Sequence, residues 1–181
     1  MRDTGIVRRI DELGRVVIPK EIRKTLRIKE GDPLEIYTDK DELFFRKYSP
    51  IASLNGYGET VVKSLNELTG KVSAVTDTDT VLFVSGNKYK DCVGKRLTQD
   101  MDKILKDRKS VMLSRADGGR AVKLYIGDDI EADNQIIVPV IVNGDCYGSL
   151  ILFDKNPAEK FTTADLNLVR LGAQIIAGQL E

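Results

Sequence analysis

Through its first 50 residues the chain reads as short β-like runs around one short helix. Gly5 to Ile10 is a β-like run, Asp11-Glu12-Leu13-Gly14 supplies turn chemistry, and Arg15 to Ile18 is a second run rich in β-branched residues. Pro19 suits the first turn of a helix, where its missing N–H costs nothing, and Glu21 places a favourable charge near the N-terminus. That helix ends near Leu26. Glu30-Gly31-Asp32-Pro33 is a turn, and two further strands, Leu34 to Thr38 and Leu43 to Tyr48, flank Asp39-Lys40-Asp41. Strands this short and few cannot enclose a core in one copy, so the segment is expected to dimerise.

Ser49-Pro50 marks a boundary, because the residue before proline is driven toward extended geometry. Beyond it, Ile51, Leu54, Tyr57, Val61, Leu65 and Leu68 fall at spacings of three and four, predicting a helix that Gly70 ends. Strands are predicted at Val72 to Thr76 and Val81 to Ser85. A helix follows from Thr98, its N-cap, to about Lys109, with acidic residues in its first turn and basic ones in its last. Val111 to Ser114 and Val122 to Ile126 read as strands on either side of Asp117-Gly118-Gly119. Ile136 to Val142, Asn143-Gly144 and Asp145 to Phe153 spell a hairpin whose turn needs positive φ at both central residues. A last helix starts at a Thr162 or Thr163 cap and reaches Leu180; its apolar stripe is wider than packing on one sheet requires, so part of it is expected to meet another helix.

Composition adds exclusions. The 181 residues contain no histidine, which removes imidazole bases, His-ligated haem and His-containing zinc sites. Cys92 and Cys146 are too few for a disulfide framework and read as small buried residues of a reducing compartment. No apolar run exceeds the seven residues from Ile136 to Val142, so neither a signal peptide nor a membrane span is expected, and the protein is expected in the cytoplasm. The 28 basic and 28 acidic residues cancel, yet they are sorted along the chain. Residues 1–29 carry a net charge of +5, residues 30–47 carry −3 and residues 48–181 carry −2. Such asymmetry points to a polyanion-facing front and a separate body.

Within the short helix Lys20, Arg23, Lys24 and Arg27 stand at i, i+3, i+4 and i+7 and share a face, opposite Ile18, Ile22 and Leu26. Arg8, Arg9 and Arg15 precede them. Five of these seven cations are arginines, whose planar fork suits phosphate oxygens and guanine edges and which shed hydration more readily than lysine.

The run from Thr4 to Leu26, with Gly31-Asp32-Pro33-Leu34-Glu35-Ile36 and Lys47-Tyr48-Ser49-Pro50, closely resembles the AbrB-type swapped-hairpin DNA-binding domain of spore-forming bacteria. The remainder resembles a GAF domain in its flanking helices, central antiparallel sheet and Asn143-Gly144 hairpin. The resemblance implies an α+β protein: residues 1–50 form an AbrB-type β-barrel made by a dimer of interlocked hairpins, and residues 51–181 a GAF-like regulatory and oligomerisation domain. It implies a nucleoid-associated transcription regulator of sporulation genes, an activator or a repressor, that binds loosely defined, AT-rich sites. Shape and deformability read such sites better than a base code does. The family's DNA-contacting arginines correspond to Arg8, Arg15, Arg23 and the position of Lys24, where lysine replaces the usual arginine and a phosphate contact survives more readily than a bidentate base contact.

A GAF-like domain implies a pocket on one face of its sheet, used for an unidentified small-molecule effector or for dimerisation; pairing of these domains through the helices at each end would make a homotetramer. No cofactor or metal is expected. Cys92 and Cys146 show no local metal spacing. Asp77, Asp79 and the Asp128-Asp129 pair read as turn residues, and Tyr125, Tyr147 and Phe153 as core or interface aromatics in preference to pocket lining. No nucleophile, base and orienting group stand together, so no enzyme is expected. The alternatives are another AbrB-type transition-state regulator and an antitoxin-like swapped-hairpin module; the latter usually carries a disordered tail, whereas the residues after 50 read as folded.

Overall fold

The computed structural model describes residues 4–54, 56–128, 132–156 and 160–181, apart from the side chains of residues 87 and 88. The chain divides into two compact units between Tyr48 and Ser49.

The first unit holds helix α1 (Lys20–Leu26) and the antiparallel hairpin β1 (Leu34–Asp39) and β2 (Glu42–Lys47), in register with Ile36 opposite Phe45 and Thr38 opposite Leu43. Pro19 precedes α1 as its N-cap residue, and Arg27 ends it in the left-handed region at φ 54°. The turn at Asp11 to Gly14 forms, closed by the Asp11 N–H to Arg15 C=O bond at 3.0 Å. The flanking runs 5–10 and 15–18 are not strands, contrary to the sequence expectation: among the described residues no ladder continues past that bond. A run becomes a strand only when a neighbour takes up its backbone groups. Pro19 is the one buried residue among positions 4–48. Val7, Ile10, Leu13 and Val17 are exposed, as are Ile36, Leu43 and Phe45, which the register places on one face of the hairpin.

The second unit is built on a five-stranded antiparallel sheet in the order β4-β3-β7-β6-β5, with β3 (Val72–Thr76), β4 (Val81–Val84), β5 (Val111–Ser114), β6 (Asn134–Val142) and β7 (Asp145–Asp154). The apolar run of β6 is continuous because both faces of the sheet are covered. Ile136, Val138, Val140, Leu150 and Leu152 pack beneath α2 (Tyr57–Thr69) and α4 (Thr163–Gly178). Ile137, Ile151 and Phe153 alternate to the other face, under Leu97, Leu124 and the residues Met101 and Leu105 of α3 (Gln99–Asp107). Asn143 and Gly144, at φ 50° and 87°, make the β6–β7 turn. Thr98 caps α3 by accepting the Met101 N–H at 3.3 Å, and Thr162 with Asp165 forms a capping box on α4.

In the second unit two elements differ from expectation. The helix anticipated from Ile51 starts only at Tyr57: residues 50–54 make tight turns, and Gly56 at φ 87° cannot continue a right-handed helix. The strand anticipated at Val122 to Ile126 is not formed; it contributes one isolated bridge, Tyr125 to Leu97. Both backbone groups of Val122 are taken instead by the side chain of Gln135, which accepts the N–H at 2.8 Å and donates to the C=O at 3.0 Å.

Candidate nucleic-acid interface

The seven basic residues picked out from sequence all lie in the first unit, from the run before the Asp11 turn to the residue that ends α1. Arg8, Arg9, Arg15, Lys20, Arg23 and Lys24 are exposed, and Arg27 is half-buried. Lys20, Arg23 and Lys24 share a face of α1, at the spacings expected. Arg27 does not extend that face, because the backbone leaves the helix at this residue. No buried residue anchors α1, so its seven residues cannot hold a helix by themselves.

Arg15 is held through both its side chain and its backbone. Its Nε–H donates to Asp11 Oδ2 at 2.8 Å, while Asp11 Oδ1 accepts the backbone N–H of Arg15 at 2.8 Å and of Leu13 at 3.0 Å. The backbone N–H of Arg15, then its guanidinium, hold the Asp11 carboxyl below the ordinary carboxylate value. One edge of the guanidinium is thereby fixed to the turn, with the side chain still largely exposed. Arg8 donates to the neighbouring Val7 C=O at 3.1 Å. On the hairpin face opposite Ile36, Leu43 and Phe45, Arg46 lies 5.1 Å from the centre of the Tyr37 ring, whose hydroxyl donates to Glu35 and is held above its ordinary pKa by that carboxylate. Sequence reasoning picked the cations and missed Asp11 as the residue that orients one of them; its place at the head of a turn was the available signal.

The second unit shows what became of the other candidates. Asp77 is a turn residue, accepting the N–H groups of Asp79 and Thr80. Asp128 is not an ordinary one: it is buried, and its Oδ2 accepts the Leu124 N–H at 2.7 Å. Asp129 lies outside the described residues. Tyr125 and Phe153 pack on one face of the sheet and Tyr147 on the other, so the three do not line a common site. Phe153 meets Tyr89 edge-on at 5.4 Å. Cys92 is buried and Cys146 half-buried; burial, with a smaller push from Asp128, raises the Cys92 thiol to about 11. No group of three or more metal-ligating side chains stands together among the described residues. No helix among them is long and apolar enough to cross a membrane.

Residues 53–181 match the family model described as stage V sporulation protein T C-terminal, transcription factor. Stage V sporulation protein T of Bacillus subtilis is 39% identical over 182 aligned positions, covering 100% of this chain and 99% of the relative. This chain belongs to the stage V sporulation protein T family. The family is one of transcription factors, and its AbrB-like front end is visible here too: transition state regulatory protein AbrB of Bacillus subtilis is 49% identical over 72 residues, 40% of this chain and 75% of that one. Residues 7–51 also match the model for the MazE bacterial antitoxin. The fold of the second unit is GAF-like: the GAF-B domain of DevS from Mycobacterium smegmatis superposes with a TM-score of 0.55 at 14% identity, covering 70% of this chain and 91% of that domain. As a member of the stage V sporulation protein T family, the chain thus joins an AbrB-like front to a GAF-like body.

Proposed function

We propose that this chain regulates transcription of sporulation genes in the bacterial cytoplasm by binding AT-rich, loosely defined DNA sites through Arg8, Arg9, Arg15, Lys20, Arg23, Lys24 and Arg27, with no catalytic step. Residues 1–50 act as the DNA-binding domain and residues 51–181 as the regulatory and oligomerising one. The observation that carries this reading is the concentration of six exposed cations between Arg8 and Lys24, in a unit with one buried residue among those described. That unit leaves Val7, Ile10, Leu13 and Val17 in solvent, and a second copy supplying strand partners for runs 5–10 and 15–18 is the occupant that fits. Dimerisation also doubles the cationic surface. Leu168, Leu171 and Ile175 make a stripe on α4, with Leu171 and Ile175 exposed, and pairing of GAF-like domains along it would give a tetramer with two DNA-binding modules.

The test is fluorescence anisotropy of the full chain with an AT-rich duplex across a salt series. A dimer engaging about six phosphates gives a slope of roughly −5 in log K against log salt, and Arg23→Ala weakens binding while far-UV circular dichroism stays unchanged. A salt-independent response, or full affinity in Arg23→Ala and Arg15→Ala alike, rejects the assigned face. Light scattering tests the assembly, and a monomer at micromolar concentration rejects the dimer. The MazE match favours an antitoxin reading for residues 7–51 alone. Against it, the residues that follow build a sheet with both faces covered in place of a toxin-wrapping tail.

A further inference from the structure

Residues 121–128 cross the apolar layer on the α3 side of the sheet as a strap. Leu124 is its plug, buried in that layer with Leu97, Met101 and Phe153. The two margins of the strap are held in different ways. Along one, the backbone of residues 96–98 grips it: the Thr98 N–H donates to the Leu124 C=O at 3.2 Å, the Ile126 N–H to the Arg96 C=O at 2.8 Å, and the Thr98 hydroxyl to the Lys123 C=O at 2.6 Å. Toward β6 the attachment runs through a side chain, the Gln135 carboxamide on both backbone groups of Val122. Gln135 shares its face of β6 with Ile137 and is itself buried, at 1% exposure. A carboxamide there is costly unless both its groups are paired, and the strap is what pairs them.

We propose that residues 121–128 open as a unit, hinged on Arg96–Thr98 and latched by Gln135, while the sheet stays folded. Opening releases the Gln135 carboxamide from Val122 and lifts Leu124, leaving the β3, β6 and β7 ladders untouched, the pattern of a local rather than a global unfolding unit. It bares an apolar layer with one amide at its edge. Any molecule taking the place of the strap must therefore bring an N–H beside a C=O on an apolar body. The proposal stands apart from the DNA reading and survives its failure.

Cys92 reports on the opening, since it is buried in the same layer and Asp128 of the strap acts on its thiol. The experiment is N-ethylmaleimide labelling of the native full chain, mapped by mass spectrometry, alongside amide hydrogen exchange of peptides from the strap, β3 and β7. Gln135→Leu, of similar volume, is expected to speed Cys92 labelling and strap exchange roughly tenfold, with β3 and β7 peptides unchanged. Cys92 labelling that rises only in step with β3 and β7 exchange, or that does not change, overturns the proposal. Should Gln135→Leu fail to fold, the wild-type chain decides: local opening gives a Cys92 labelling rate flat in low urea, whereas global opening makes it climb with the full urea dependence of unfolding.

Discussion

Asp11 holds Arg15 by both ends, taking its guanidinium on one carboxylate oxygen and its backbone N–H on the other, each at 2.8 Å. An arginine fixed this way loses less side-chain freedom when it meets a phosphate. Asp11→Ala therefore sets two effects against each other. Removing a negative charge beside DNA favours binding, and freeing Arg15 opposes it. The geometry favours the second, and the variant is expected to bind an AT-rich duplex about three- to tenfold more weakly, measured by anisotropy at fixed salt. Tighter binding would show that Asp11 acts only through its charge.

The same contacts make the turn sensitive to acid. The folded Asp11 carboxyl titrates below its ordinary value of 3.8, so its stabilisation is complete at pH values above 3.8 and is lost as the pH falls through the lower, folded value. The amide resonances of Leu13 and Arg15 should stay constant from pH 7 to 5 and move together only below pH 3.8. Movement centred above 3.8 would contradict the hold by Arg15.

Gly148 tolerates no side chain. A Cβ at this position would lie 2.0 Å from the Thr76 carbonyl oxygen and 2.9 Å from Asp77 Cα, both backbone atoms of the passing chain. Gly148→Ala should cost about 3–5 kcal/mol in urea unfolding of the full chain, the range of severe single lesions.

Gly172 presents a softer case. Its Cβ would stand 2.7 Å from Leu150 Cδ2, the far end of a leucine side chain, and 3.1 Å from Val61 Cγ1 on α2. Gly172→Ala should cost about 1–3 kcal/mol and push α4 away from α2, visible as a lowered midpoint in the same unfolding experiment.

Local chemistry made much of this architecture legible in advance. Asn143-Gly144 has one backbone solution between two apolar runs, and Thr98 and Thr162 announce helices through their caps. The cations of the front segment were equally plain from spacing and charge. Val122 to Ile126 misled because its apolar composition is that of a strand, whereas strand identity depends on the partner, here the carboxamide of a residue 13 positions along the chain. Gln135 carried one signal, a polar residue heading the long apolar run of β6. Arg27 misled for a related reason: helical spacing places it on the basic face on paper, whereas its backbone has already turned left-handed.

The first unit buries Pro19 alone among its described residues, which bears on dosage. Under the proposed pairing, the surface that grips DNA exists only in the associated form. Well below the dissociation constant its abundance then rises with the square of the amount of chain made, so a twofold change in synthesis becomes about a fourfold change in DNA-competent protein. A regulator built this way would answer sharply to its own expression, with no effector required.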